Sequence, residues 1–204
     1  MKLTWYGHSC FLLETKEGSV VFDPYEPGYV PGLSLPQLEA DLCLCSHGHG
    51  DHNYTAGVRL SGRCPEFKVQ KFECFHDDKQ GMMRGKNTMH LVEAKGRRVL
   101  HMGDLGHMPS PELTERLGHV DLMMIPVGGY YTIDAAVAAA GGRSLEPGLV
   151  VPMHYRGEGF GFEVLSTVED FTDRMDRVKS LDTNVLEPDW SVDHLTVVLK
   201  CPLT

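Results

Sequence analysis

Six consecutive residues, His47-Gly48-His49-Gly50-Asp51-His52, place three imidazoles and a carboxylate directly after an apolar stretch. Neutral nitrogen and anionic oxygen donors in one loop suit zinc, manganese or iron. The two glycines remove Cβ atoms and let the loop curl so that alternate side chains converge. In an extended chain His47, His49 and Asp51 share one face, while His52 points elsewhere. Four donors facing two directions crowd a single ion but fit two adjacent ions. An exposed loop that happens to be histidine-rich is the bland alternative, and the density of donors in this register argues against it.

Such a loop needs strands to hold it. Lys2–Tyr6, Phe11–Thr15 and Ser19–Asp23 read as a meander, with a turn at Lys16-Glu17-Gly18. After the irregular segment DPYEPGYVPG, a helical turn is expected at Leu35–Leu38, then a strand at Asp41–Ser46 that runs into the histidine loop. Further strands are expected at Phe72–His76, Thr88–Glu93, Val99–Met102, Leu122–Pro126, Leu149–Val151 and Leu195–Lys200. Helices are expected at Ser110–Leu117, where Ser110 caps, Pro111 suits the first turn and Gly118 ends it, and at Thr132–Ala140 and Val168–Lys179. Early strands followed by mixed strands and helices predict an α+β sandwich. No linker or repeat interrupts residues 1–204, which predicts one domain.

Composition narrows the partners. Nineteen Lys and Arg against 28 Asp and Glu give a formal charge of −9, which argues against large nucleic acids as ligands, although a local basic pocket remains compatible with it. No run approaches the about 20 apolar residues of a bilayer span, and Gly7, His8 and Glu14 interrupt any signal-peptide core. Six cysteines without a C-x-x-C pair read as reduced thiols, which predicts a cytoplasmic protein.

His47-x-His49-x-Asp51-His52 after a strand resembles the signature of the metallo-β-lactamase superfamily. Tyr6-Gly7-His8-Ser9-Cys10-Phe11, Asp23-Pro24, Gly103-Asp104-Leu105-Gly106-His107 and Pro126-Val127-Gly128-Gly129 follow in the order and spacing of its small bacterial branch. That branch is similar to the ascorbate-6-phosphate lactonases and, more distantly, to a phospholipase D acting on N-acylphosphatidylethanolamine. The resemblance implies a four-layer αβ/βα sandwich with two divalent metal ions, zinc first and manganese or iron as alternatives, at one edge between the sheets. It also implies that His76 joins His47 and His49, that Asp104 bridges the two ions, and that His154 completes the second. Homo-oligomers are known among such proteins.

The chemistry implied is hydrolysis of an ester, lactone or similar bond by a metal-bridging hydroxide. Asp51 would bind metal and orient the nucleophile. His107, three residues after Asp104, and His8, in a Gly-His-Ser turn after the first strand, are candidates to protonate the leaving group. Asp23 and Asp77 are candidates to fix histidine tautomers. His90, His101 and His119 read as structural or surface residues. Arg84, Lys86 and Asn87 form a polar cluster, and Arg84 suits a phosphate or carboxylate on a small-molecule substrate. Tyr25, Tyr29, Tyr130 and Tyr131 sit in loops that could wall a cleft. A redox protein of the flavodiiron type is disfavoured, because that class replaces the second histidine of the motif with glutamate and here it is His49. A phosphodiesterase for small phosphodiesters and a non-catalytic metal-binding protein stay open as alternatives.

Overall fold

The structure, a computed structural model, describes residues 1–202, the side chain of Arg143 excepted. Its strands are β1 (Lys2–Trp5), β2 (Phe11–Thr15), β3 (Gly18–Phe22), β4 (Leu38–Ala40), β5 (Leu42–Leu44), β6 (Val58–Leu60), β7 (Lys68–Phe75), β8 (Lys86–Ala94), β9 (Arg97–His101), β10 (Leu122–Pro126), β11 (Leu149–Met153), β12 (Val178–Ser180), β13 (Val185–Leu186) and β14 (Leu195–Val198). Its helices are α1 (Pro111–Leu117), α2 (Ala135–Leu145) and α3 (Glu169–Thr172). A five-stranded sheet runs β13-β1-β2-β3-β5, a seven-stranded sheet runs β12-β14-β11-β10-β9-β8-β7, and β4 pairs with β6. This is the expected α+β sandwich.

The core lies between the two large sheets. Trp5 and Phe11 of the first sheet are fully buried with Tyr155, and the Trp5 ring lies 5.5 Å from that of Tyr155 and 6.2 Å from Phe160. Phe22 of β3 stacks on His101 of β9 at 5.0 Å, nearly parallel. The His101 ring accepts from the N–H of Gly103 at 3.2 Å, so its Nε2–H donates to the carbonyl of Ser9 at 2.9 Å. One imidazole thus ties the sheets together and satisfies its own polar atoms, as a buried ring must.

α1 lies against the seven-stranded sheet, its Arg116 guanidinium 5.7 Å from the centroid of the Phe72 ring of β7, and α2 packs against α3. Ser110 caps α1 by accepting from Leu113 N–H, and Gly118 ends it at φ 62°. A single 3₁₀ turn, Thr55–Gly57, precedes β6. The helix expected at Thr132–Ala140 starts later, because Asp134 accepts from Val137 N–H at 2.8 Å, and it runs through Gly141, where a Cβ would sit 2.0 Å from Met108. The helix expected across Val168–Lys179 stops after one turn. Val178–Ser180 instead pairs in parallel with β14, so strand pairing overrides the helical spacing of Phe171, Met175 and Val178. The helical turn expected at Leu35–Leu38 gives way to β4, which pairs in parallel with β6.

Strand direction matters most for function. β9, β10 and β11 are mutually parallel, and β7 joins them with the same sense through antiparallel β8. β1 and β3 likewise run alike through antiparallel β2, with β5 parallel to β3. The residues that follow these strands therefore gather at one edge of the sandwich, the usual location of a site in parallel sheets.

Trp5 joins this frame to that edge, since its Nε1–H donates to the carbonyl of His8 at 3.0 Å. Trp5→Ala is expected to cost about 3–5 kcal/mol, measured by urea unfolding, whereas Trp5→Phe should recover most of that loss. Equal stability of Trp5→Ala and wild type would contradict the packing described.

Candidate metal centre

The register Phe22↔Leu44 brings the residues after β3 and β5 side by side. Asp23 then receives the N–H of Ser46 at 2.7 Å and its Oγ–H at 2.6 Å. Having given its proton to Asp23, the Ser46 hydroxyl accepts from His47 Nδ1–H at 2.9 Å. His52 donates Nδ1–H directly to Asp23 at 2.8 Å. Both rings are thereby fixed with Nε2 facing inward, a tautomer assignment that follows from the hydrogen-bond network. The loop curls as its glycines allow: His52 N–H reaches His49 O at 2.9 Å, and Tyr29 packs where a Cβ on Gly50 would lie, 2.6 Å away.

The opposite sheet supplies Asp104, His76 and His154. Asp104 N–H donates to Asn87 Oδ1 at 2.9 Å, and Asn87 donates in turn to Met102 O at 2.8 Å and Cys74 Sγ at 3.1 Å. The Asp104 carboxylate is ringed by imidazoles. His52 Nε2 lies 3.2 Å from Oδ1, while His76 Nε2 and His154 Nε2 each lie 3.2 Å from Oδ2, with His47 Nε2 at 4.0 Å. Two glycines permit this crowding. A Cβ on Gly106 would sit 2.1 Å from Asp77 N, and one on Gly128 would sit 2.2 Å from His154 O.

The donor atoms fall into overlapping sets, each within 4.8 Å of one another: His47, His49 and His76; His8, Asp51, His52 and His154; and His47, His52 and Asp104, which joins them. His47 Nε2, His52 Nε2, His154 Nε2 and Asp104 Oδ1 are buried with no hydrogen-bond partner among the described residues. Buried polar atoms in a native fold carry partners, and buried carboxylates need a compensating positive charge. Nitrogen and oxygen donors turned on one another without bonds are the arrangement that cations satisfy.

The electrostatics agree. Burial disfavours ionised Asp104, but His154 and His52 outweigh it and hold the carboxyl well below its usual range. Burial likewise opposes ionised Asp23, yet the charges of His101 and His52 and the hydrogen bonds from His52 and Ser46 lower it to about 2. Asp51 is held well below the carboxylate range, the hydrogen bond from His8 and the charge of His52 outweighing burial. Burial lowers His47 to about 3 and His8 to about 4, and lowers His76. His52 is the exception: burial is overcome by Asp104 and Asp23 on either side, which push it well above its usual value. The two carboxylates thus favour positive charge at His52, a demand that a bound cation would also meet.

A cleft of about 330 Å³ opens onto His49, Asp51, His76 and Asp104, with Arg84 and Tyr131 among its walls and Tyr29 and Phe162 at its rim. Other expected residues lie elsewhere. His8 is 1% exposed and sits behind Asp51, with Nε2 3.3 Å from Oδ2. His107 Nε2 accepts from Phe75 N–H at 3.4 Å, and its Nδ1–H donates to Met108 O at 2.9 Å. Both of its nitrogens are committed to backbone, and the ring does not line the cleft. Asp77 fixes no histidine; its oxygens accept the N–H groups of Lys79, Gly81, Met83 and Arg84. Tyr25 is buried with its hydroxyl on Tyr6 O, and Lys86 pairs with Glu73 at the surface. Tyr130 is exposed beside Tyr131. His90 and His101 are buried partners across β8 and β9, and His119 is exposed near Asp121. Ser46, Asn87 and Phe162 were not expected. Ser46 could have been suspected from its place before the motif, whereas no local signal links Asn87 to Asp104.

Comparison with known proteins places this edge in a family. Residues 2–154 match the family model for the β-lactamase superfamily domain. A UPF0173 metal-dependent hydrolase of Archaeoglobus fulgidus is 30% identical across 91% of this chain and 95% of its own length. One from Thermoplasma acidophilum is 27% identical across 76% and 83%. Among solved structures, a candidate zinc-dependent hydrolase of the metallo-β-lactamase superfamily from Thermotoga maritima aligns with TM-score 0.76 and 31% identity, covering 97% of this chain and 98% of that one. The chain belongs to the metallo-β-lactamase superfamily.

Proposed function

We propose that the chain is a metal-dependent hydrolase that holds two divalent cations side by side. The observation that carries this reading is the Asp104 carboxylate, surrounded by the inward Nε2 atoms of His52, His76 and His154 at 3.2 Å and of His47 at 4.0 Å. In this reading His47, His49 and His76 would hold one ion and Asp51, His52 and His154 the other, with Asp104 available to both. Zinc suits these nitrogen and oxygen donors, with manganese or iron as alternatives. Such a pair, when bound, acidifies water and polarises the bond to be broken.

The chain's own residues do the rest. Asp51 faces the cleft and can accept a hydrogen bond from the attacking water while His8 holds its other side. His8 is then a positioning residue rather than a proton donor, because it is buried behind Asp51 with no path to substrate. His107 has no free nitrogen to offer. Asp23 and Ser46 keep His47 and His52 in the ligating tautomer. A cleft of about 330 Å³ suits a small molecule, and an ester or lactone is the bond this arrangement addresses best. The opening also distinguishes it from a structural site, which is closed and usually built from cysteines.

Elemental analysis of the untagged protein should find about two divalent ions per chain, with hydrolysis of 4-nitrophenyl acetate that a chelator abolishes. Asp104→Ala should lose both. A protein that binds no ion after reconstitution would overturn the proposal. His8→Ala should weaken binding of the second ion by about 10- to 100-fold while sparing the first, read by stepwise titration with zinc. His107→Ala should keep its metal and its kcat; loss of kcat with metal retained would restore the residue to the reaction. Because a protonated His52 would have to release its Nε2 proton to the solvent before that nitrogen could hold an ion, metal binding should release protons to the buffer and weaken as pH falls. Calorimetry in two buffers of different ionisation enthalpy checks this, and equal heats would contradict it.

A further inference from the structure

Arg84 is the one Lys or Arg among the residues that line the cleft. Its guanidinium lies over the Tyr131 ring, 5.6 Å from the centroid, and no carboxylate among the described residues comes within ion-pair distance of it. On a chain with a formal charge of −9, a half-buried cation left without an acid partner beside two carboxylates, Asp51 and Asp104, is unusual. Arginine in such a place normally finds a planar anion for its fork of donors.

The position of Arg84 is also built. The segment from Asp77 to Gly85 has no regular helix or strand, yet its backbone is pinned at one point. The Asp77 carboxylate accepts four N–H groups, from Lys79 at 2.8 Å, Gly81 at 2.9 Å, Met83 at 3.0 Å and Arg84 at 2.7 Å. Gly85 closes the segment on both sides, its N–H reaching Gly81 O and its carbonyl receiving His76 N–H, each at 3.0 Å. Asp77 follows His76 directly, so the same strand end that presents His76 also fixes the backbone of Arg84 at the cleft wall. Tyr131 then covers one face of the guanidinium and leaves its edge for a ligand.

We propose that Arg84 is an anion subsite, taking a carboxylate or phosphate group that the substrate carries away from the bond to be cut, with Asp77 as its positioning residue. This rests on the hydrolase reading for the identity of the cleft. Substrates with such a group would gain affinity from Arg84, and neutral analogues of the same bond would not.

The test compares two esters, 4-nitrophenyl hemisuccinate and 4-nitrophenyl acetate, on the metal-loaded full chain. Wild type should favour the hemisuccinate in kcat/KM, and Arg84→Ala should lower that ratio by about 10- to 100-fold, mostly through KM, with metal content unchanged. Arg84→Lys should fall between the two, since it keeps the charge and loses the fork. Asp77→Asn should lower the same ratio, which a purely structural defect would not do selectively. A ratio that does not change in Arg84→Ala would overturn the subsite. Calorimetric titration with propionate and with propyl phosphate needs no turnover and separates the two anion sources. Weaker binding of either one in Arg84→Ala supports the subsite and names the group preferred, whereas equal binding of both to the two proteins overturns it. If anions bind through Arg84 and neither ester is cleaved, the subsite stands and the hydrolase reading falls.

Discussion

Asp104 sets the terms for everything around it, because a carboxylate with 1% of its surface exposed is tolerable only where positive charge is supplied from within the fold. The supply comes from two different sheets. His52 and His47 arrive on the loop after β5, while His76 and His154 arrive at the ends of β7 and β11. No short stretch of chain could deliver all four. The common direction of β7, β9, β10 and β11, and the matching ends of β1, β3 and β5 across the core, are therefore requirements of the site as much as features of the sandwich. The Phe22–His101 stack and the Ser9 hydrogen bond hold the two sheets in that relation.

Orientation is solved separately from position. Two inward nitrogens are determined by what the other nitrogen of the ring does, since Asp23 serves His52 directly and His47 through the Ser46 hydroxyl. A single buried carboxylate, lowered to about 2, thus fixes two rings. From the opposite side Asn87 holds the backbone N–H of Asp104. At His47 and His52 the inner nitrogen is left with an unmet bond while the outer one is satisfied, an asymmetry that an ordinary buried polar cluster does not show.

The legibility of these parts in the sequence follows from how local they are. The loop from His47 to His52 concentrates its donors in six residues, so their chemistry can be read directly. His76, Asp104 and His154 are isolated residues, and only the family resemblance singled them out. In the sequence Asn87 is one member of a polar cluster with Arg84 and Lys86. Its partners Cys74, Met102 and Asp104 meet it only through the register of β7, β8 and β9. Asp77, a candidate to fix a histidine tautomer, instead turns its carboxylate back to four backbone N–H groups in the segment that follows. His107 shares a short motif with Asp104, but a loop that bends between them commits both of its nitrogens elsewhere. The helix expected at Val168–Lys179 failed for a similar reason: the sheet edge offered by β14 decides the conformation of Val178–Ser180, and that edge lies far along the chain.

Anomalous X-ray diffraction at the zinc absorption edge, from crystals of the zinc-loaded protein, tests the central claim most directly. The account predicts two peaks on either side of the Asp104 carboxylate, one among His47, His49 and His76 and the other among Asp51, His52 and His154. A single peak, or peaks that leave Asp104 uncoordinated, would contradict it.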